Sequence, residues 1–104
     1  MISRIWHGWT RRRDADSYET MLRAEVLPGI GRIDGYRGAY LLRREAPNDE
    51  VEFVTICQFD DIDAVREFAG PELTRAVIHG PARPLLLRYD EHSQHYDTVL
   101  TPER

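Results

Sequence analysis

The order of hydrophobic patterns predicts an α+β fold: a ferredoxin-like βαββαβ domain with a four-stranded antiparallel sheet. Three observations carry that prediction. Four segments have strand character, Ile2 to Thr10, Tyr36 to Arg44, Val51 to Phe59 and Gln94 to Thr101. Two segments between them repeat apolar residues at helical spacing. A turn signal, Ala46-Pro47-Asn48-Asp49, joins the middle two strands into a hairpin. At 104 residues the chain suits one domain, residues 1–104, and is too short for two cores.

Each element has its own signal. In the first strand Ile5, His7 and Trp9 fall on one face, and Arg4, Trp6 and Gly8 on the other. Arg11-Arg12-Arg13-Asp14 is a polar break. Asp16, three residues before Glu19, reads as a capping box that opens a helix. Tyr18, Met21, Leu22 and Val26 give that helix its apolar face, and Pro28-Gly29 should end it. Asp60 or Asp61 caps a second helix with Ile62, Val65, Phe68 and Ala69 on its apolar side. Gly70-Pro71 interrupts it, and Pro71 suits the first turn of a continuation through Leu73, Ala76 and Val77. Leu85 to Leu87 is a short apolar anchor before the last strand.

Composition excludes several classes. Fourteen basic and 18 acidic residues give a net charge of −4, which disfavours general nucleic-acid binding. All fourteen cations are Arg; with no Lys, Schiff-base and P-loop chemistry are excluded. No apolar run approaches the ~18–20 residues of a membrane span. The first residues hold no signal-peptide core, so the expected location is cytoplasmic. Cys57, the single cysteine, has no internal partner and reads as an inert core thiol.

The third strand bears on assembly. Val51, Phe53, Thr55, Cys57 and Phe59 share one face, yet Val54 and Ile56 make the other face apolar too. Helices in a βαββαβ domain cover one face only. The other needs a cover, and a second copy of the sheet is the simplest, which predicts a homodimer with face-to-face sheets.

Four stretches carry a family resemblance: Ile5-Trp6-His7-Gly8, Ala15-Asp16-Ser17-Tyr18-Glu19, the run Asp61 to Gly70, and His95-Tyr96. Together they resemble the antibiotic biosynthesis monooxygenase superfamily, over nearly the whole chain. The resemblance implies a dimeric α+β barrel with a pocket between sheet and helices in each subunit. One branch of that superfamily oxidises phenols or anthrones to quinones with O2 and no cofactor. Another binds and degrades haem, using an Asn on the first strand, a Trp on the second helix and a His near that helix's end. Here the first strand offers Trp6-His7, the helix offers Phe68, and His79 stands about one residue beyond the expected His. The resemblance therefore implies no cofactor, with haem as the alternative.

The candidate groups follow. His7 could act as base towards an acidic phenol, since an imidazole titrates near ~6.5. Its alternative is a structural imidazole bonded to a backbone group or a carboxylate. His79 is a second catalytic candidate. Trp6, Trp9, Tyr40, Phe53, Phe68 and Tyr96 are candidates for the aromatic wall, each equally able to serve as plain packing. His79, His92 and His95 match no metal-site spacing, so no metal is expected. Gly29-Ile30-Gly31-Arg32-Ile33-Asp34-Gly35 lacks the dinucleotide-binding spacing and reads as a connection. The functional expectation is oxygenation of a small aromatic or quinol-type molecule. Haem degradation and a non-catalytic dimeric binding or stress-response module are the alternatives.

Overall fold

The computed structural model describes residues 1–102. Strands are β1 (Ile2–Arg11), β2 (Tyr36–Ala46), β3 (Glu50–Phe59), β4 (Leu86–Tyr89) and β5 (Gln94–Asp97). Helices are α1 (Arg12–Met21), α2 (Leu27–Ile30) and α3 (Ile62–Ala69). A π-helical turn, Leu22–Val26, joins α1 to α2, and a 3-10 segment, Gly80–Leu85, precedes β4. The sheet is antiparallel in the order β2-β3-β1-β4, with β5 also paired to β1. This is the α+β, ferredoxin-like arrangement predicted from the pattern. The fourth position is divided between two short strands, where one continuous strand was expected. No helix among the described residues is long and apolar enough to cross a membrane.

The sheet buries one face under the helices. Phe53 and Val51 pack with Ala15, Tyr18 and Leu22, while Cys57 and Phe59 pack with Ile30, Ala64 and Val65. Tyr18 meets Phe53 edge-on at 4.9 Å between ring centres. Burying a large apolar side chain contributes roughly 1.5–3 kcal/mol, so these aromatics anchor the helices to β3. The hairpin turns through Asn48 (φ 64°) and Asp49 (φ 60°), residue types that tolerate the left-handed region.

Four local expectations are corrected. The first helix starts at Arg12, so Asp16 lies inside it and caps nothing; Asp16 and Glu19 instead meet Arg43 of β2 at 3.0 and 2.9 Å. The helix also runs past Pro28. A proline removes one N–H and crowds the carbonyl four residues back. The π turn just upstream, where Leu27 N–H donates to Leu22 C=O, resets the carbonyls, and Pro28 then sits in the first turn of α2.

The continuation helix after Pro71 does not form. Leu73 and Arg75 point their carbonyls at the Arg4 guanidinium. Ala76 N–H donates to Glu91 C=O, and Ser93 N–H to Thr74 C=O. Those bonds to distant residues replace the helical ladder. The last strand ends at Asp97, short of Thr101; Thr98 N–H makes one further bond, to the C=O of Met1, the residue before β1. The cap of α3 is Asp61, whose Oδ1 accepts from Ala64 N–H at 3.0 Å.

Candidate active site

β1 alternates strictly. Arg4, Trp6, Gly8 and Thr10 are buried towards the helices; Ile5, His7 and Trp9 face the other way. A cavity of about 60 Å3 lies between the helix-facing side of the sheet and α1, α2, α3 and the 76–82 segment. Val26, Ile30, Phe68, Val77, Ile78 and His79 continue outward into a mouth of about 250 Å3. The wall is mostly apolar, as small-molecule pockets are.

Trp6 forms part of the floor. Its Nε1–H donates to Asp90 C=O at 2.7 Å, which fixes the indole. The ring folds over Gly8, where a Cβ would come within 2.7 Å of it. Phe68 stacks on Phe59 from α3. Tyr18 closes the side towards α1, and burial pushes its phenol up, so it stays protonated. Cys57 also reaches the wall; burial raises its thiol to about 11, against a smaller lowering by Arg4, so it is no nucleophile at neutral pH.

Two charged or titratable groups stand in this apolar wall. Arg4 is 4% exposed, and no carboxylate among the described residues pairs with it. Its Nη1 meets Leu73 C=O and His95 Nε2, and its Nη2 meets Arg75 C=O at 2.8 Å. The second group is His79, which precedes the 3-10 segment. Its Nε2 is buried without a hydrogen-bond partner among the described residues. The nearest acid oxygen, Glu25 Oε1, is 3.8 Å away, beyond hydrogen-bond reach.

The other expected residues divide between this site and elsewhere. Trp6, Phe68 and His79 meet at the cavity. Phe53 is on the same sheet face but wholly buried beneath α1, where it is core. His7, Trp9, Tyr40 and Tyr96 are on the opposite face. His7 Nδ1 is 2.7 Å from Asp90 Oδ2, and its ring stacks on Trp9. That is the carboxylate-bonded alternative for His7, and it keeps the imidazole out of the cavity. His92 bonds Thr74 and His95 bonds Arg4, so neither joins His79.

Sequence reasoning missed Arg4, Ile78 and the π-turn residues Leu22 and Val26 as wall elements. Arg4 was legible in part, because strict alternation puts it on the Trp6 face. The turn of chain around Ile78 was not, since it depends on bonds to residues far away in sequence.

No family model and no curated protein sequence matches the chain. Solved structures do. A Bacillus cereus protein assigned as an antibiotic biosynthesis monooxygenase superposes with a TM-score of 0.67 at 12% identity, covering 100% of this chain and 96% of its own. The haem degrader MhuD from Mycobacterium tuberculosis, solved with two haems in its active site, gives 0.67 at 17% identity, covering 99% and 100%. A variant of SnoaB, a cofactor-independent oxygenase from Streptomyces nogalater, gives 0.64 at 22% identity, covering 98% of both chains. Similarity over the full length at such low identity is similarity of fold, and fold alone does not fix an activity. The chain has the fold of the antibiotic biosynthesis monooxygenase superfamily.

Proposed function

We propose that the protein is a monooxygenase that oxidises a small aromatic or quinol-type substrate with O2 in this cavity, without a bound cofactor. One observation carries the reading: an imidazole nitrogen, His79 Nε2, is buried in an apolar wall with no hydrogen-bond partner among the described residues. A neutral imidazole there is a base awaiting a proton. In this reading His79 takes the phenolic proton, and Glu25 at 3.8 Å steadies the resulting imidazolium. The electron-rich anion passes an electron to O2 and recombines with it at a ring carbon. That carbon gives up its hydrogen, one oxygen stays as a carbonyl, and the other leaves as water. The second hydrogen of that water is the phenolic proton, returned by His79, so a phenol plus O2 becomes a quinone plus H2O. Trp6 and Phe68 would hold the ring, and the apolar wall excludes water from the anion. SnoaB, which shares the fold, is a cofactor-independent oxygenase.

Haem fits the residues less well. The free His79 nitrogen favours it, and MhuD, of the same fold, degrades haem. Yet where the haem-degrading branch carries an Asn and a Trp, this chain carries Trp6-His7 and Phe68, so no step is routed through haem.

The functional unit in this proposal is a homodimer. The sheet face away from the helices carries Tyr40, Leu42 and Tyr96, each about half exposed, around partly buried Ile5, Val54 and Ile56. A second copy of this face is the self-complementary cover that such a surface needs.

The test is oxygen uptake by purified protein, with chelator present and no haem added, against a panel of anthrones, naphthols and hydroquinones. Uptake with quinone formation supports the reading. Ligand binding without uptake on any member would leave a binding module instead.

A further inference from the structure

We infer that Arg4 is the anion-recognising group of the cavity, so that the ligand bound there carries an ionised oxygen, a phenolate or an arenecarboxylate. The inference rests on the cavity being a ligand site, and it adds the ligand's charge. Arg4 lines the cavity and is 4% exposed. A buried cation is normally paired, because an uncompensated charge away from water is costly. No carboxylate among the described residues pairs with this one. Neutral groups engage it instead: the carbonyls of Leu73 and Arg75, and His95 Nε2 at 2.8 Å. These take three of the five guanidinium N–H donors. The positive charge is therefore held rigidly and left unneutralised.

The rest of the wall agrees with this assignment. The other wall residues with polar side-chain atoms are Trp6, Tyr18, Thr55, Cys57, His79 and Ser93. None of these is an anion at neutral pH, since burial keeps the thiol and the phenol protonated, and the one carboxylate nearby, Glu25, stands at the outer mouth beside His79. A planar aromatic acid would lay its ring between Trp6 and Phe68, whose face already lies 5.4 Å from the guanidinium carbon. Its oxygen would then meet the remaining donors in a charge-assisted bond.

The experiment compares two ligands of one shape and different charge, 2-naphthoate and 2-naphthamide, by titration calorimetry at pH 7.5. Wild-type protein should bind the carboxylate about tenfold or more tightly, the factor one charge-assisted hydrogen bond supplies. The preference should vanish in Arg4→Met and survive in part in Arg4→Lys. Circular dichroism of each variant checks its fold, and the wild-type comparison stands by itself if Arg4→Met does not fold. Equal affinity for the two ligands, no binding of either, or a preference that persists in Arg4→Met would each overturn the inference. Charge preference without oxygen uptake on any aromatic would uphold Arg4 and sink the monooxygenase reading. Uptake without charge preference would do the reverse.

Discussion

Arg4 Nη1 and His95 Nε2 lie 2.8 Å apart. A guanidinium has no acceptor, so the imidazole must accept, and it can do so only when Nε2 carries no proton. Burial, and then the Arg4 charge, lower the His95 value below the ordinary one near ~6.5. The unfolded chain therefore binds this proton more readily than the folded protein. Stability from the pair is complete above about pH 6.5 and is lost as pH falls towards and through the folded value. The melting temperature should drop from pH 7 to pH 5, and His95→Gln, whose amide oxygen can still accept, should flatten that drop. The surface carboxylates that Arg holds low, Glu50 with Arg88 and Asp60 with Arg37, titrate at more acid pH and leave this window clear. A wild-type profile flat between pH 7 and 5 would contradict the assignment.

The Trp6 ring and Gly8 depend on one another. A methyl group at Gly8 would stand 2.7 Å from the indole and 3.0 Å from a Leu86 methyl. Gly8→Ala should push the indole into the cavity, weaken its bond to Asp90, and cost about 1–3 kcal/mol as overpacking does. Chemical denaturation gives the cost, and ligand affinity should fall with it. An unchanged affinity would mean that Trp6 does not shape the site.

Cys57 offers a simple check on burial. With its thiol raised to about 11, it should react with an aromatic disulfide reagent at pH 8 far more slowly in folded than in denatured protein. Equal rates would show that the floor of the cavity is open.

Asp61→Ala should cost about 1 kcal/mol, the usual penalty for losing an N-cap, through the bond to Ala64 N–H. Asp16→Ala should cost much less, because Asp16 is exposed and only shares Arg43 with Glu19. Thermal denaturation of the two variants separates a cap from a surface ion pair.

The strands β1, β2 and β3, the hairpin and the cap of α3 were legible because each rests on local signals: two-residue alternation, a turn sequence, a side chain three residues from an amide. Alternation also correctly put Trp6 and Trp9 on opposite faces, but it could not say which face the helices cover. That missing bit left open which face His7 occupies, and the fold puts it beside Asp90 on the face away from the helices. The helix over Leu73 to Val77 was misread for a related reason. Local spacing favoured it, and Arg4, some seventy residues away, captured its carbonyls. Pro28 misled likewise, since the π turn that accommodates it has no signature of its own.

The two histidines give the most direct test of the central claim. Oxygen uptake on the best substrate of an anthrone and hydroquinone panel should fall by roughly 100-fold or more in His79→Ala, the scale of a lost general base. It should be unchanged per folded protein in His7→Ala, because His7 lies outside the cavity. Full activity in His79→Ala, or its loss in His7→Ala alone, would contradict the account.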